Sequence, residues 1–333
     1  MTLITQYNNL TMINIDRRKF LTLSTLGAAS LTICGKNLYA VIDENNTKKE
    51  IYHFNIGEFK CINFNTGYYE YPVSKFFDNI PTHQIQKELG LSKPPLTIKA
   101  TFSCTYIDTG TNRILIDTGI GTGFEMPAPL QKYLQQEKIS SESIDTIILS
   151  HAHADHISGL LDEKGNICFP NATYFSSKDE WNFYMDDIAF NNAKAKYPVF
   201  TLSSNGREVY DKIKNKLVFV QPETEIVPGI KVIDAKGHTP GQLAVVISSF
   251  NKKLIYIADV VFHHLHLKYP DWLPEKGSMF DQIEYEKTKS YIMNMAADEN
   301  MLVSATHFYP PPGLGYIKKA GRGWEWIPIF KIQ

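Results

Sequence analysis

The sequence predicts an α/β fold: β-sheets sandwiched by helices in a single domain. Three observations carry this. Strand-like runs recur along the whole chain, patterns with apolar residues at three- and four-residue spacing fall between them, and several strand runs end on a polar cluster. No charge run, low-complexity tract or internal repeat divides the chain into two.

In chain order, the first strand runs are "KCINFNTG" from Lys60, "LTIKATFSCTYIDTG" from Leu96, "RILIDTG" from Arg113 and "IDTIILSHAH" from Ile144. Each is rich in β-branched and aromatic residues and is punctuated by turn-formers. Then follow "ATYFSS" from Ala172, "KLVFVQP" from Lys216, "IKVIDAKGH" from Ile230, "LAVVISS" from Leu243, "KLIYIADV" from Lys253 and "MLVSATH" from Met301. Helices are expected in "APLQKYLQQEKI" from Ala128, "SKDEWNFYMDD" from Ser177 and "DQIEYEKTKSYIMNMAADE" from Asp281. The strand ends gather chemistry: Asp117 after "RILI", His151 after "TIIL", His238 after "VIDAKG", Asp259 after "LIYIA", His307 after "LVSAT".

Before this domain the sequence reads as an address. Arg17, Arg18 and Lys19 precede the mildly apolar run "LTLSTLGAASLTI", and "LYA" at 38–40 offers a small-residue cleavage site. The paired arginines resemble a twin-arginine export signal, so residues 1–40 are expected to be removed by way of that machinery, with Met12 an alternative start. Residues 41–54 read as a linker and 55–333 as the catalytic domain. The destination expected is the periplasm, with no stable membrane association after cleavage. Loss of residues 1–40 removes four basic residues and one acidic, taking the net charge from −1 to −4. That balance argues against nucleic acid as a partner. The partners expected are a small-molecule substrate and the export machinery, with a homodimer left open. Cys61, Cys104 and Cys168 are too few and too scattered for a disulfide framework, although one pair is open to oxidation outside the cytoplasm.

The densest signal is "HAHADH" at 151–156. In an extended segment positions i, i+2 and i+4 share a side, so His151, His153 and Asp155 can converge while His156 turns towards a neighbouring ion. Catalytic zinc takes three protein ligands and keeps a position open. His151, His153 and His238 complete one such set, and Asp155, His156 and His307 a second, with Asp259 bridging. Two divalent ions per chain are therefore expected, zinc first, with manganese, iron and cobalt suited to the same donors.

"HAHADH", "GHTPG" at 237–241, the strand-end Asp259 and His307 together resemble the metallo-β-lactamase superfamily, over roughly residues 55–333. The resemblance implies an αββα sandwich, two mixed β-sheets flanked by helices, with the ions at one edge of both sheets, and gives Asp117, in "DTGIG", a supporting role beside the ligands. Gln242 stands where many members carry a second histidine that is normally not a ligand. Two further stretches are similar to the methyl parathion hydrolase and quorum-quenching lactonase group. They are "DVVFHHLHLKYPDW" at 259–272, where Leu265 and His266 depart from the pattern, and "THFYPPPGLGYIKKAGRGWEWIPI" at 306–329.

The resemblance implies a hydrolase in which a hydroxide shared by two ions attacks a carbonyl or phosphoryl centre, with Asp155 and Asp259 in catalytic positions. A lactone, an aryl ester or a phosphotriester is the expected substrate. The competing readings are thioesterase or glyoxalase II-like chemistry, β-lactamase activity (against which Asp259 argues), and an exported metal-binding protein without turnover. Phe124, Trp181, Phe262, His263, His264 and Tyr309 are the candidate substrate-binding residues. For each, a place in the core or on a loop competes with that role.

Overall fold

A computed structural model describes residues 50–90, 96–121, 130–196, 205–275 and 277–329. It also gives the backbone of four short strand segments, Leu10–Thr11 paired with Ile42–Asp43 and Thr32–Cys34 paired with Asn37–Tyr39. Arg17, Arg18 and the rest of the expected export signal lie outside the described residues, as does Phe124.

The first sheet is built from β1 (Ile51–Ile56), β2 (Phe59–Pro72), β3 (Thr97–Asp108), β4 (Arg113–Ile116), β5 (Thr146–Ile148), β6 (Thr173–Ser177) and β7 (Leu217–Val220). These seven lie side by side in chain order. β1 to β4 pair antiparallel, while β4 to β7 pair parallel. β1 begins at Ile51, inside the segment 41–54 read as linker. Its pairing of Tyr52 with Asn63 and Phe54 with Cys61 gives those residues a place at the sheet edge.

The second sheet holds β8 (Glu225–Val227), β9 (Ile230–Asp234), β10 (Leu243–Ser249), β11 (Lys252–Tyr256), β12 (Leu302–Ser304), β13 (Leu314–Ala320) and β14 (Gly323–Pro328), again in chain order. Among these, β11 and β12 pair parallel, joined by α9 (Gln282–Asp298).

The two-residue period of each strand sorts side chains between layers. Ile114, Ile116 and Ile148 meet Val245, Ile247, Leu254 and Tyr256 between the sheets. Their neighbours Leu115 and Ile147 point the other way, onto α3 (Leu130–Gln136), α5 (Lys178–Met185) and α7 (Gly206–Ile213). Val246, Ile255 and Val303 face Ile292, Met293 and Ala296 of α9. The result is a four-layer αββα sandwich of the class the sequence predicts.

Three local differences have physical causes. The pattern from Ser177 breaks at the extended residue Asp186, so α5 is followed by a separate α6 (Asp187–Lys196). Two short helices, α1 (Val73–Phe76) and α2 (Thr82–Leu89), occupy a stretch too brief for periodicity to reveal. Cys61, Cys104 and Cys168 are free thiols, and no pair among them is bonded. No helix of the described residues is long and apolar enough to cross a membrane.

Candidate metal centre

Seven side chains meet at one edge of the sandwich, at the ends of strands from both sheets. His151, His153, Asp155 and His156 follow β5, the latter two in the short helix α4 (Ala154–Ile157). His238 follows β9, Asp259 follows β11 and His307 follows β12. They form two sets whose donor atoms lie within 4.8 Å of one another: His151, His153, His238 and Asp259, and Asp155, His156 and His307.

The donor atoms follow from what holds the far side of each ring. His307 Nδ1 donates to the carbonyl of Thr101 at 2.8 Å, His238 Nδ1 to that of Ser278 at 3.1 Å, and His156 Nδ1 to Asp117 Oδ2 at 2.7 Å. The Ser150 hydroxyl donates to Asp117 and so accepts from His151 Nδ1, at 3.1 Å. Each of these four rings therefore aims Nε2 inwards as a lone pair, since the proton sits on the bonded nitrogen. His153 instead presents Nδ1, 3.0 Å from His151 Nε2 and 2.9 Å from His238 Nε2.

Asp259 lies between the sets. Its Oδ2 is 3.1 Å from His238 Nε2, and its Oδ1 is 3.0 Å from His156 Nε2 and 3.1 Å from His307 Nε2. Asp155 Oδ2 stands 3.6 Å from both His156 Nε2 and His307 Nε2. His156 Nε2 and Asp259 Oδ1 are fully buried and make no hydrogen bond, although they are neighbours. Buried polar atoms without partners are costly, and converging lone pairs repel one another. A pair of cations resolves both problems, so the donor set fits two divalent ions with Asp259 able to bridge them.

Electrostatics point the same way. Burial holds His151 and His153 well below the usual imidazole range, keeping them neutral as ligands must be. Burial also opposes charge on His156 and His307, but the nearby carboxylates, Asp259 foremost, push both upwards. Asp259 is driven well below the carboxylate range: burial opposes this, and His307, His156, His151 and His238 outweigh it. The site calls for positive charge.

Two supports fix the loops. Asp117, at φ 58° and fully buried, accepts from the Ser150 amide at 2.7 Å, the Ser150 hydroxyl at 2.6 Å, His156 Nδ1 at 2.7 Å and the Tyr256 hydroxyl at 2.8 Å. Glu180 is the support that sequence reasoning missed. It accepts from the Ala152 amide at 3.0 Å, the Thr239 hydroxyl at 2.6 Å and the Gly241 amide at 3.1 Å, tying "HAHADH" to "GHTPG". Burial raises its pKa to about 7, against the pull of those hydrogen bonds. A carboxylate on the same helical face as Phe183 and Tyr184 was the available signal. The glycines of "GHTPG" are dictated by contact: a Cβ on Gly237, at φ 124°, would lie 2.3 Å from Tyr285 Cα, and one on Gly241 2.2 Å from the Glu180 nitrogen.

A cavity of about 200 Å³ opens onto His153, Asp155, His238, Asp259 and His307, walled by Tyr71, Phe76, Ala100, Phe262 and Pro274, with Lys75 and Glu275 at its side. Of the candidate substrate residues, Phe262 lies here, its ring stacked 5.6 Å from His307. The others do not. Trp181 packs into the helical layer against Tyr210 and Phe219, at 5.3 and 5.6 Å, because its helix turns that face to β6 and β7. His263 is buried between Phe76 and Phe77 and accepts from the Leu265 amide. His264 and Tyr309 line a separate cleft of about 670 Å³ with Trp324 and Trp326. His266, the departure noted in the sequence, is buried in the short helix α8 (Leu265–Lys268); its Nε2 donates to the carbonyl of Phe76 at 2.8 Å, anchoring the cavity wall.

Comparison with known proteins agrees with this geometry. AidC, described as a dizinc quorum-quenching lactonase in complex with a product, N-hexanoyl-L-homoserine, superposes with a TM-score of 0.76 at 28% identity, over 85% of this chain and 98% of that one. The hydrolase AbOPH superposes with a TM-score of 0.75 at 24% identity, over 85% and 99%. A beta-lactamase-like protein 2 homolog of Drosophila melanogaster is 39% identical over 79 residues, 24% of this chain and only 26% of that protein. The family model for the metallo-beta-lactamase superfamily matches residues 103–307, from the middle of β3 to the last of the seven clustered side chains, and the chain belongs to that superfamily.

Proposed function

We propose that the protein is an exported, binuclear metal-dependent hydrolase that cleaves a lactone, an aryl ester or a neutral phosphotriester. The observation that carries this is Asp259, which offers one carboxylate oxygen to each of two ligand sets at the floor of an open cavity. His151, His153 and His238 would hold one ion, Asp155, His156 and His307 the other, with zinc the first candidate and manganese, iron and cobalt the alternatives. Two such ions supply Lewis acidity and a water activated at neutral pH.

The chain's own residues do the rest. Phe76, Ala100, Phe262 and Pro274 give the acyl or aryl part of a substrate an apolar seat and keep bulk water from it. Lys75 and Glu275 neutralise each other at 2.7 Å, so neither stands as an unpaired charge beside the substrate. Asp155, its side chain 20% exposed at the cavity floor, is placed to take a proton and pass it to a departing alkoxide or phenolate. The similarity to a lactonase that spans nearly all of that protein favours the lactone among the three classes.

The test is metal analysis of the purified protein followed by a hydrolysis screen over an N-acyl lactone, 4-nitrophenyl acetate and a neutral phosphotriester. Two ions per chain and turnover of at least one class are expected. Turnover of a chromogenic cephalosporin alone would replace this reading with β-lactamase chemistry. Export rests on the Arg17–Arg18 pair; replacing both by lysine should hold the full-length protein in the cytoplasm.

A further inference from the structure

Tyr71 is the next-to-last residue of β2, opposite Ile98 of β3. It lines the cavity with Asp155, Asp259 and His307. Its ring is wedged edge-on between Tyr69, at 4.8 Å, and Phe76, at 5.8 Å. Its hydroxyl lies in the field of the Asp155 and Asp259 carboxylates, yet among the described residues nothing hydrogen-bonds to it.

The hydroxyls of Tyr174, Tyr210 and Tyr256 are occupied, by Phe169, Ser176 and Asp117 respectively. Tyr285 has an unoccupied hydroxyl too, but it does not reach the cavity.

The other polar groups around the cavity are committed or are of the wrong kind. Lys75 is held by Glu275, and the Ser278 hydroxyl donates to the Glu275 carbonyl at 2.6 Å. The far nitrogens of His238 and His307 donate to Ser278 and Thr101. Ionised Asp155, Asp259 and Glu275 only accept. Tyr71 is thus the one uncommitted hydroxyl among the described residues of this wall. A phenol at neutral pH is a donor.

We propose that Tyr71 is a catalytic residue whose hydroxyl donates a hydrogen bond to the substrate's carbonyl or phosphoryl oxygen, where negative charge grows during attack. The proposal rests on the hydrolase reading above. A rigid donor aimed at that oxygen does most in the transition state, because a fixed dipole costs no reorganisation when charge develops. The effect should therefore fall on kcat rather than on KM.

The test uses the metal-loaded full chain and Tyr71→Phe, which keeps the ring contacts with Tyr69 and Phe76. With N-hexanoyl homoserine lactone and with 4-nitrophenyl acetate, kcat/KM should fall by about 10²–10³-fold, mostly in kcat, as for loss of one oxyanion donor. Two ions per chain should remain bound. Tyr69→Phe, an exposed neighbour outside the cavity, should stay within about twofold of the parent. A second readout needs no turnover: hexanoate, whose carboxylate mimics the charged oxygen, should bind Tyr71→Phe at least about fivefold more weakly by calorimetry, as expected when a bond to a charged group is lost. Unchanged kcat and unchanged hexanoate affinity would overturn the proposal. So would a rise in KM alone, or a loss of activity matched by loss of an ion. If the loaded parent turns over neither probe, the hydrolase reading fails on its own, and the hexanoate comparison still decides the place of Tyr71.

Discussion

His151 and His307 sit in different ligand sets, and each is locked by its far nitrogen to a different element, Ser150 after β5 and Thr101 in β3. Their replacement therefore separates the two ions experimentally. His151→Ala and His307→Ala should each leave about one tightly held ion, read by elemental analysis after gel filtration. Each should lose at least ~10⁴ in kcat, more than the ~10²–10⁴ typical of losing a general base, because the electrophile and the activated water lose their shared arrangement. A His307→Ala variant with one ion and near-parent kcat would replace the binuclear mechanism with a mononuclear one. At this scale the clustered side chains were legible because four of them lie within six residues just after a strand, although the expected extended run gives way at Ala154 to the short helix that carries Asp155 and His156. Asp117 was reached through resemblance alone; four donor groups converge on its two oxygens from two segments, Ser150 and His156 after β5 and Tyr256 in β11, and no local spacing announces that. Glu180, Tyr71 and Glu275 were not legible. The Lys75–Glu275 pair joins positions 200 residues apart, and such contacts exist only once both sheets have formed.

α9 shows how an element carries a conflict that its pattern conceals. Tyr285, Lys289, Ile292, Met293 and Ala296 form its buried stripe, so a lysine takes a core position. Lys289 Nζ donates to the Pro270 carbonyl at 2.8 Å and lies 5.5 Å from the Tyr285 ring centre. Burial draws its pKa down to about 8, with Glu286 and Asp271 pulling it back. The folded value is below the unfolded one of ~10.4, so between them the unfolded chain binds the extra proton and stability rises with pH. The contribution of this group is complete above the unfolded value and is lost as pH falls through about 8. Chemical denaturation across pH 7–10.5 should show that rise, on the order of 2–3 kcal/mol at most, and Lys289→Met should flatten it. An unchanged slope in the variant would mean that other groups set the pH dependence. Helices with a regular stripe, and strands whose neighbours alternate between layers, were readable in advance. The hairpin of β13 and β14 does not read as strands in the sequence, because it first stands out as a motif of prolines, glycines and tryptophans. Trp181 was ambiguous for a related reason, since a helical aromatic spaced three residues from Tyr184 serves a core as readily as a cleft, and it packs against the helical layer.

At the scale of the whole molecule the centre joins the two sheets. Each ligand set takes members from both: His151 and His153 with His238 and Asp259, and Asp155 and His156 with His307. Direct hydrogen bonds also cross that edge, among them Leu243 N to the Ser150 carbonyl at 2.9 Å and the Thr101 hydroxyl to the Thr306 carbonyl at 2.7 Å. Without ions, buried His156 Nε2 and Asp259 Oδ1 have no hydrogen-bond partner, and carboxylates and imidazoles are left to balance one another by taking up protons. Ions that bind only the folded chain stabilise it by mass action, ~4 kcal/mol for each site at a thousandfold excess over its dissociation constant. In a domain of this size ~1 kcal/mol moves Tm by ~2–4 °C. Removing both ions with a chelator should therefore lower Tm by at least about 10 °C, reversibly on adding zinc back. The His307→Ala variant gives the control at this scale: with one ion to lose, its drop on chelation should be about half that of the parent. An equal drop would mean that the second set contributes nothing to holding the sheets together. No drop in the parent, with metal shown to be gone, would mean that the sandwich closes on its apolar core alone and that the ions serve only the chemistry.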